Sequence, residues 1–206
     1  IFILCGRVRY NPIRRARGLA PRLGSGLMAA GAVVYTFTGS LADVDRGVYD
    51  ELGLRVARHP SETDAYMMTR VLAYCLEFEE GIAFSEGVSS TDEPAVIVRD
   101  RTGRLTAWIE VGAPDAERLH FGSKKADRTV VYTHRDPAKV LALWAGKKIH
   151  EADRIVLHSF DPGFIDSAVA LLERRNAITV SVTERQLYLD LNGVTLSSVV
   201  HDHPLV

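Results

Sequence analysis

The chain has 206 residues, 47% of them apolar and 25% charged, with a formal net charge of −1, the profile of one ordinary globular domain rather than a fibrous, disulfide-stapled or highly charged chain. No run approaches the ~18 consecutive apolar residues of a membrane helix, which argues against a membrane-spanning class. The neutral total hides an asymmetry: six of the 25 Lys and Arg but none of the 26 Asp and Glu fall in residues 1–27, so the remainder is acidic at −7, disfavouring broad non-specific nucleic-acid binding while leaving room for a local basic channel.

Residues 1–27 are Arg-rich and aperiodic, and the first Met is Met28. The segment reads as an upstream extension, with a basic disordered arm or a targeting segment as alternatives. The apolar Ile1-Phe2-Ile3-Leu4 precedes the charges, the reverse of a secretory signal. Residues 28–206 are taken as a single domain. Two distant cysteines, Cys5 and Cys75, make no disulfide framework; Cys75 reads as a reduced core thiol, and a cytoplasmic setting is expected.

The β-branched run Ala32–Thr38 predicts a strand, and Glu51–Arg58 alternates as its partner across a turn at Asp43–Gly47. Pro60–Asp64 opens a helix with Ser61 as the expected N-cap and Glu62 in the first turn, where the helix dipole favours an acid. Met67, Val71, Tyr74 and Phe78 mark its apolar face, joined by Met68, Leu72 and Cys75. Ile82–Phe84 is a short strand, followed by a loop from Gly87 to Thr91. Ala95–Val98 and Leu105–Val111 flank the turn signal Arg101-Thr102-Gly103-Arg104, a β-hairpin whose partners sum to roughly 204. Helices are expected over 114–126, 137–148 and 162–175, and strands over 128–133, 154–158, 179–183 and 186–190, with a last one over 194–200. This order makes a mixed α/β layer fold, a mixed sheet flanked by helices.

The hairpin register gathers Asp92, Glu93 and Glu110 at one strand end. Carboxylates 4 Å apart repel by about 4 kcal/mol at an effective dielectric near 20, so a divalent cation, a basic partner, a shared proton or solvation must offset the cost. Mg²⁺ suits one or two such carboxylates plus waters and could activate a water against a phosphoryl group. A solvated acidic strand end accounts for the same pattern. Lys124 and Lys125 on the next helix could orient water or bind phosphate as point charges, or line a solvated face; Arg118, His120 and Arg128 lie in the same region. His59 is a ligand or base candidate that also fits a plain loop. His201 and His203 sit on what reads as a frayed tail. No Walker loop, dinucleotide fingerprint or zinc spacing is present.

The strings Ala57-Arg58-His59-Pro60-Ser61-Glu62-Thr63, Met67-Met68, Asp92-Glu93-Pro94, Trp108-Ile109-Glu110-Val111-Gly112, Pro114-Asp115 and Tyr132-Thr133 resemble the YaeQ family of bacterial proteins, from about Ala29 to the C-terminus. The resemblance implies a start at Met28. It also implies a variation on the PD-(D/E)XK nuclease-like, or restriction-endonuclease-like, core: a helix, a three-stranded meander, a helix and a strand. By position it makes Glu62 the helix acid, Asp92 (or Glu93) the acid of the second strand and Glu110 that of the third. Gly112 stands where that superfamily carries lysine, so Lys125, or Lys124, is the candidate substitute. His120 and Phe121 replace residues that tend to be basic in the family, and Ala65 one that tends to be charged.

Two functions are therefore carried forward. One is Mg²⁺-dependent phosphodiester hydrolysis on nucleic acid, with Asp92 and Glu110 holding the metal and Glu62 and Lys125 supporting. The other is a catalytically inactive nuclease-fold protein that binds nucleic acid or a protein partner. A third reading, a structural or regulatory protein with solvated acids, predicts no thermal response to Mg²⁺.

Overall fold

The computed structural model describes residues 32–85 and 93–205; Cys5, Met28, the N-terminal segment, the Gly87–Thr91 loop and Asp92 lie outside them. Strands β1 (Val33–Asp43) and β2 (Val48–Arg58) pair antiparallel without a break from Val33↔Arg58 to Asp43↔Val48. The turn is closed by Asp43, whose carboxylate accepts from the Arg46 backbone N–H at 3.1 Å and pairs with its Nε at 2.6 Å. Both strands outrun the pattern because polar residues alternate along them: Phe37, Leu41, Leu52, Leu54 and Val56 are buried on one face only.

Helix α1 (Asp64–Leu76) is capped by Thr63, whose Oγ1 accepts from the Tyr66 N–H. The expected cap was Ser61, but the Ser61 hydroxyl lies 2.7 Å from His59 Nδ1 instead, which leaves Glu62 ahead of the helix rather than in its first turn. The meander β3 (Ile82–Phe84), β4 (Val96–Arg99) and β5 (Leu105–Val111) follows, antiparallel throughout. Its hairpin register sums to 205 over Val96↔Ile109, Ile97↔Trp108 and Val98↔Ala107, one residue from expectation, with a shift near the turn absorbing the difference. Then come α2 (Ala116–Lys125), β6 (Arg128–Thr133), α3 (Pro137–Trp144), a 3-10 turn at Ala152–Arg154, β7 (Val156–Ser159) and α4 (Phe164–Ala170). Helices α3 and α4 are shorter than predicted; α4 must end early because Arg175 already begins β8 (Arg175–Thr183). The chain closes with β9 (Gln186–Leu191), β10 (Val194–Val199) and β11 (His201–Pro204).

Two mixed sheets result where one was expected. The first has the order β10-β9-β8-β1-β2 and the second β11-β7-β6-β5-β4-β3. β1 runs parallel to β8, and β5, β6 and β7 run parallel to one another. Gly39 permits the β1–β8 approach, since a Cβ there would lie 1.7 Å from the Ile178 carbonyl oxygen. Helices α1 and α4 pack together between the sheets in the main core, with Phe37, Met67, Ile109, Ile165 and Leu189 all fully or nearly buried. A smaller core under α2 and α3 holds Leu119, Val131, Val140 and Trp144. Cys75 is buried in the main core, where loss of solvation pushes its thiol up to about 12. The predicted frayed tail is instead β11, paired with β7 from His201↔Ser159 to Pro204↔Val156. Among the described residues no helix is long and apolar enough to cross a membrane.

Candidate functional site

Alternation along β5 divides its side chains between the two faces of the second sheet. Ala107, Ile109 and Val111 enter the main core with α1, and Trp108 and Glu110 turn to the face that α2 covers. The indole lies flush on α2 because Gly122 has no side chain: a Cβ there would sit 2.6 Å from indole atoms. So placed, Trp108 donates its Nε1–H to Glu110 Oε1 at 2.7 Å. Asp115 caps α2 by accepting the Arg118 N–H at 2.7 Å, which sets Arg118 in the first turn. Its Nε reaches the same Glu110 Oε1 at 2.6 Å, its Nη2 donates to the Glu93 carbonyl at 2.5 Å, and its guanidinium stands 5.9 Å over the Trp108 ring.

Glu110 is 2% exposed. Burial raises its carboxyl above the usual range, and Arg118 and Trp108 oppose that rise by stabilising the anion. Both donors converge on Oε1, so the second oxygen is left to the cleft that Glu110 lines. That cleft, about 240 Å³, is walled by Tyr66, Glu93, Gly112, Arg118 and Arg135. Burial, then the Glu110 charge, pushes the Tyr66 phenol up to about 12, so it stays protonated at neutral pH. Arg135 is shared with a neighbouring cleft of about 340 Å³ where β6 and β7 end, the side of a parallel sheet on which ligands bind.

The other candidates are placed as follows. Glu62 is 4% exposed and faces Arg70, itself 2% exposed: the two guanidinium nitrogens lie 3.3 Å from the two carboxylate oxygens, and the His59 N–H donates to Oε2 at 3.1 Å. Glu62 does not line the cleft. The Glu93 carboxylate turns to Arg99 at 3.5 Å. Lys125 ends α2, exposed, its ammonium 4.0 Å from the Phe121 ring centroid, and seven helical residues beyond Arg118, or about 10 Å along the axis. Gly112, where lysine was sought, has φ +88°, and a Cβ added there would lie 3.6 Å from the Tyr66 ring. An L side chain there would be strained. Sequence reasoning missed the partners Arg70 and Tyr66 and did not assign Arg118 to Glu110. The readable signal for the last was Trp108 and Glu110 at strand spacing, followed by an Asp cap three residues before an arginine.

Among the described residues no three His, Cys, Asp or Glu side chains assemble a metal-binding group. Among the described residues two acids line this cleft: Glu93, whose carboxylate turns to Arg99, and Glu110, which Arg118 holds. A hard cation that needs oxygen ligands would have to displace or sit beside Arg118 at Glu110; Asp92, the other expected ligand, lies outside the described residues.

Comparison with known proteins gives a consistent family. A family model described as YaeQ protein matches residues 28–200. The YaeQ protein of Escherichia coli (strain K12), described as uncharacterized, is 35% identical over 111 residues, 54% of this chain and 61% of that protein; that of Salmonella typhi is 34% identical over the same span. The match thus spans less than two thirds of these curated relatives. The crystal structure of YaeQ from Pseudomonas syringae has a TM-score of 0.74 at 29% identity, covering 84% of this chain and 97% of that one. The structure of YaeQ from Xanthomonas axonopodis pv. citri gives 0.74 at 26% identity, covering 83% and 97%.

Proposed function

The chain belongs to the YaeQ family, and we propose that it is a binding module built on a PD-(D/E)XK-like core, one that holds its partner without cutting phosphodiesters. The succession α1, meander β3-β4-β5, α2 and parallel β6 supports the nuclease-like scaffold. The observation that carries the loss of cleavage is the 2.6 Å contact of Arg118 Nε with Glu110 Oε1. A guanidinium takes the acid that a cleaving enzyme would give to a metal. The positive φ of Gly112 adds to this, because the backbone there is shaped for glycine and not for a lysine. What remains is a cleft with arginines, a carboxylate and a phenol, suited to hydrogen bonding rather than to water activation.

The test is a cleavage assay of the full chain on single- and double-stranded DNA and RNA with Mg²⁺ or Mn²⁺, together with calorimetric titration of each metal. No turnover and no metal uptake are expected. Turnover that disappears in Glu110→Gln would overturn the proposal and restore the metal-dependent nuclease, with Asp92 and Glu110 as ligands and Glu62 and Lys125 in support.

A further inference from the structure

A third cleft, sharing no residue with the two already described, opens between α2 and the loop from α3 to β7. It measures about 520 Å³ and is lined by His120, Lys124, Lys148, Ile149, His150 and Glu151. His120 and Lys124 stand one helical turn apart on α2, on one face; Lys148 and His150 come from the loop opposite. Four basic side chains from two elements therefore converge, in a chain whose body is acidic. The one acid on the lining, Glu151, is taken by Arg154 at 2.9 Å. Among the described residues no carboxylate forms an ion pair with Lys124 or Lys148. His120 also keeps a buried Nδ1 without a hydrogen-bond partner.

We propose that this cleft is a binding site for phosphate groups. A phosphate offers several acceptor oxygens and up to two negative charges, which matches two lysine point charges flanked by two imidazole donors. Its arrival would relieve the mutual repulsion of the four groups. The site is proton-linked. His120 is held below the ordinary histidine range, first by burial and then by Lys124, His150 and Lys148; Glu151 is the one anion on the cleft lining, and Arg154 engages that carboxylate. An anion in the cleft reverses the balance and favours the imidazolium, so binding takes up a proton and tightens as pH falls through the histidine range. The phosphates could come from a nucleic-acid backbone or from a free or terminal phosphate ester.

Titration of the full chain at pH 6 and pH 8 with inorganic pyrophosphate, with a short oligothymidylate, and with the same oligomer bearing a 5′-phosphate separates these sources. Binding of all oligomers alike, with a steep salt dependence, identifies the backbone; binding confined to pyrophosphate and the 5′-phosphorylated oligomer identifies an ester phosphate. In either case Lys124→Ala/Lys148→Ala should weaken binding about tenfold or more, and Lys139→Ala, whose lysine pairs with Asp136 outside the cleft, should not. His120→Gln should flatten the pH dependence and keep the pH 8 affinity. The proposal fails if no probe binds at pH 6, or if the double variant, with an unchanged circular dichroism spectrum, binds like the parent chain.

Discussion

Glu110 illustrates how a side chain's chemistry is decided by what its neighbours lack. Gly122 has no Cβ, so Trp108 lies against α2; Trp108 lies there, so its N–H meets the carboxylate; Arg118 completes the pair. Removing Arg118 leaves a buried carboxylate with the indole alone. Arg118→Ala should cost about 3 kcal/mol at pH 7, read from urea unfolding. The deficit should shrink toward pH 5. A carboxyl whose folded pKa is raised above its unfolded value binds more protons in the folded state, so the variant gains stability as pH falls through that raised value. A deficit that stays constant with pH would mean that Arg118 acts through packing and not through the Glu110 charge. At this scale the sequence disclosed the acids but not their partners. Arg70 lies on the apolar face of α1, and its meeting with Glu62 eight positions back depends on the loop at His59–Ser61, which no periodicity reports.

Among elements, α2 carries the most. Its Asp115 cap aims Arg118 inward, its Gly122 seats Trp108, and its outer face supplies His120 and Lys124. Gly122→Ala would force the indole off the helix. Overpacking of this kind costs about 1–3 kcal/mol, and the displaced indole should show as a shift in tryptophan fluorescence before any loss of secondary structure. An unshifted spectrum at parent stability would refute the seating. Elements were the most legible level. The strand at 128–133 follows from its continuous apolar run, and the starts of α2 and α3, to within two residues, from Pro114 and Pro137. The α1 cap was misassigned because Ser61 and Thr63 are both good capping residues, and only the His59 contact removes Ser61 from the choice. The excess length predicted for α4 has a similar cause: Leu171 and Leu172 continue an apolar pattern after the helix has ended.

The division into two sheets belongs to the whole molecule and left no mark in the sequence, since a strand's pattern tells which face is buried but not which sheet it joins. One tie between the sheets has a measurable signature. His158 on β7 lies 2.7 Å from Asp202 on β11, and Arg185, in the turn between β8 and β9 of the other sheet, grips the same carboxylate. Burial dominates at His158 and pushes its imidazole down to about 4; the Glu77 charge opposes the fall, and the Arg185 and Arg128 charges add to it. Below the ordinary histidine value the unfolded chain takes up a proton that the folded chain refuses. Stability should therefore fall between about pH 6.5 and 4, by up to about 3 kcal/mol. Urea midpoints across that window should show the slope, and His158→Gln should flatten it. A parent chain with no slope would show that the imidazole is not held neutral.

Val200 alone separates β10 from β11, and with it the strand order of one sheet from that of the other. On its other edge β1 pairs with β8, far downstream. During synthesis the β1–β2 ribbon would thus keep an edge unpaired until β8 had emerged, and β11 follows every other described strand in chain order. Such an order of birth favours capture of the unfinished ribbon by a chaperone, because the strand that completes it lies far along the chain.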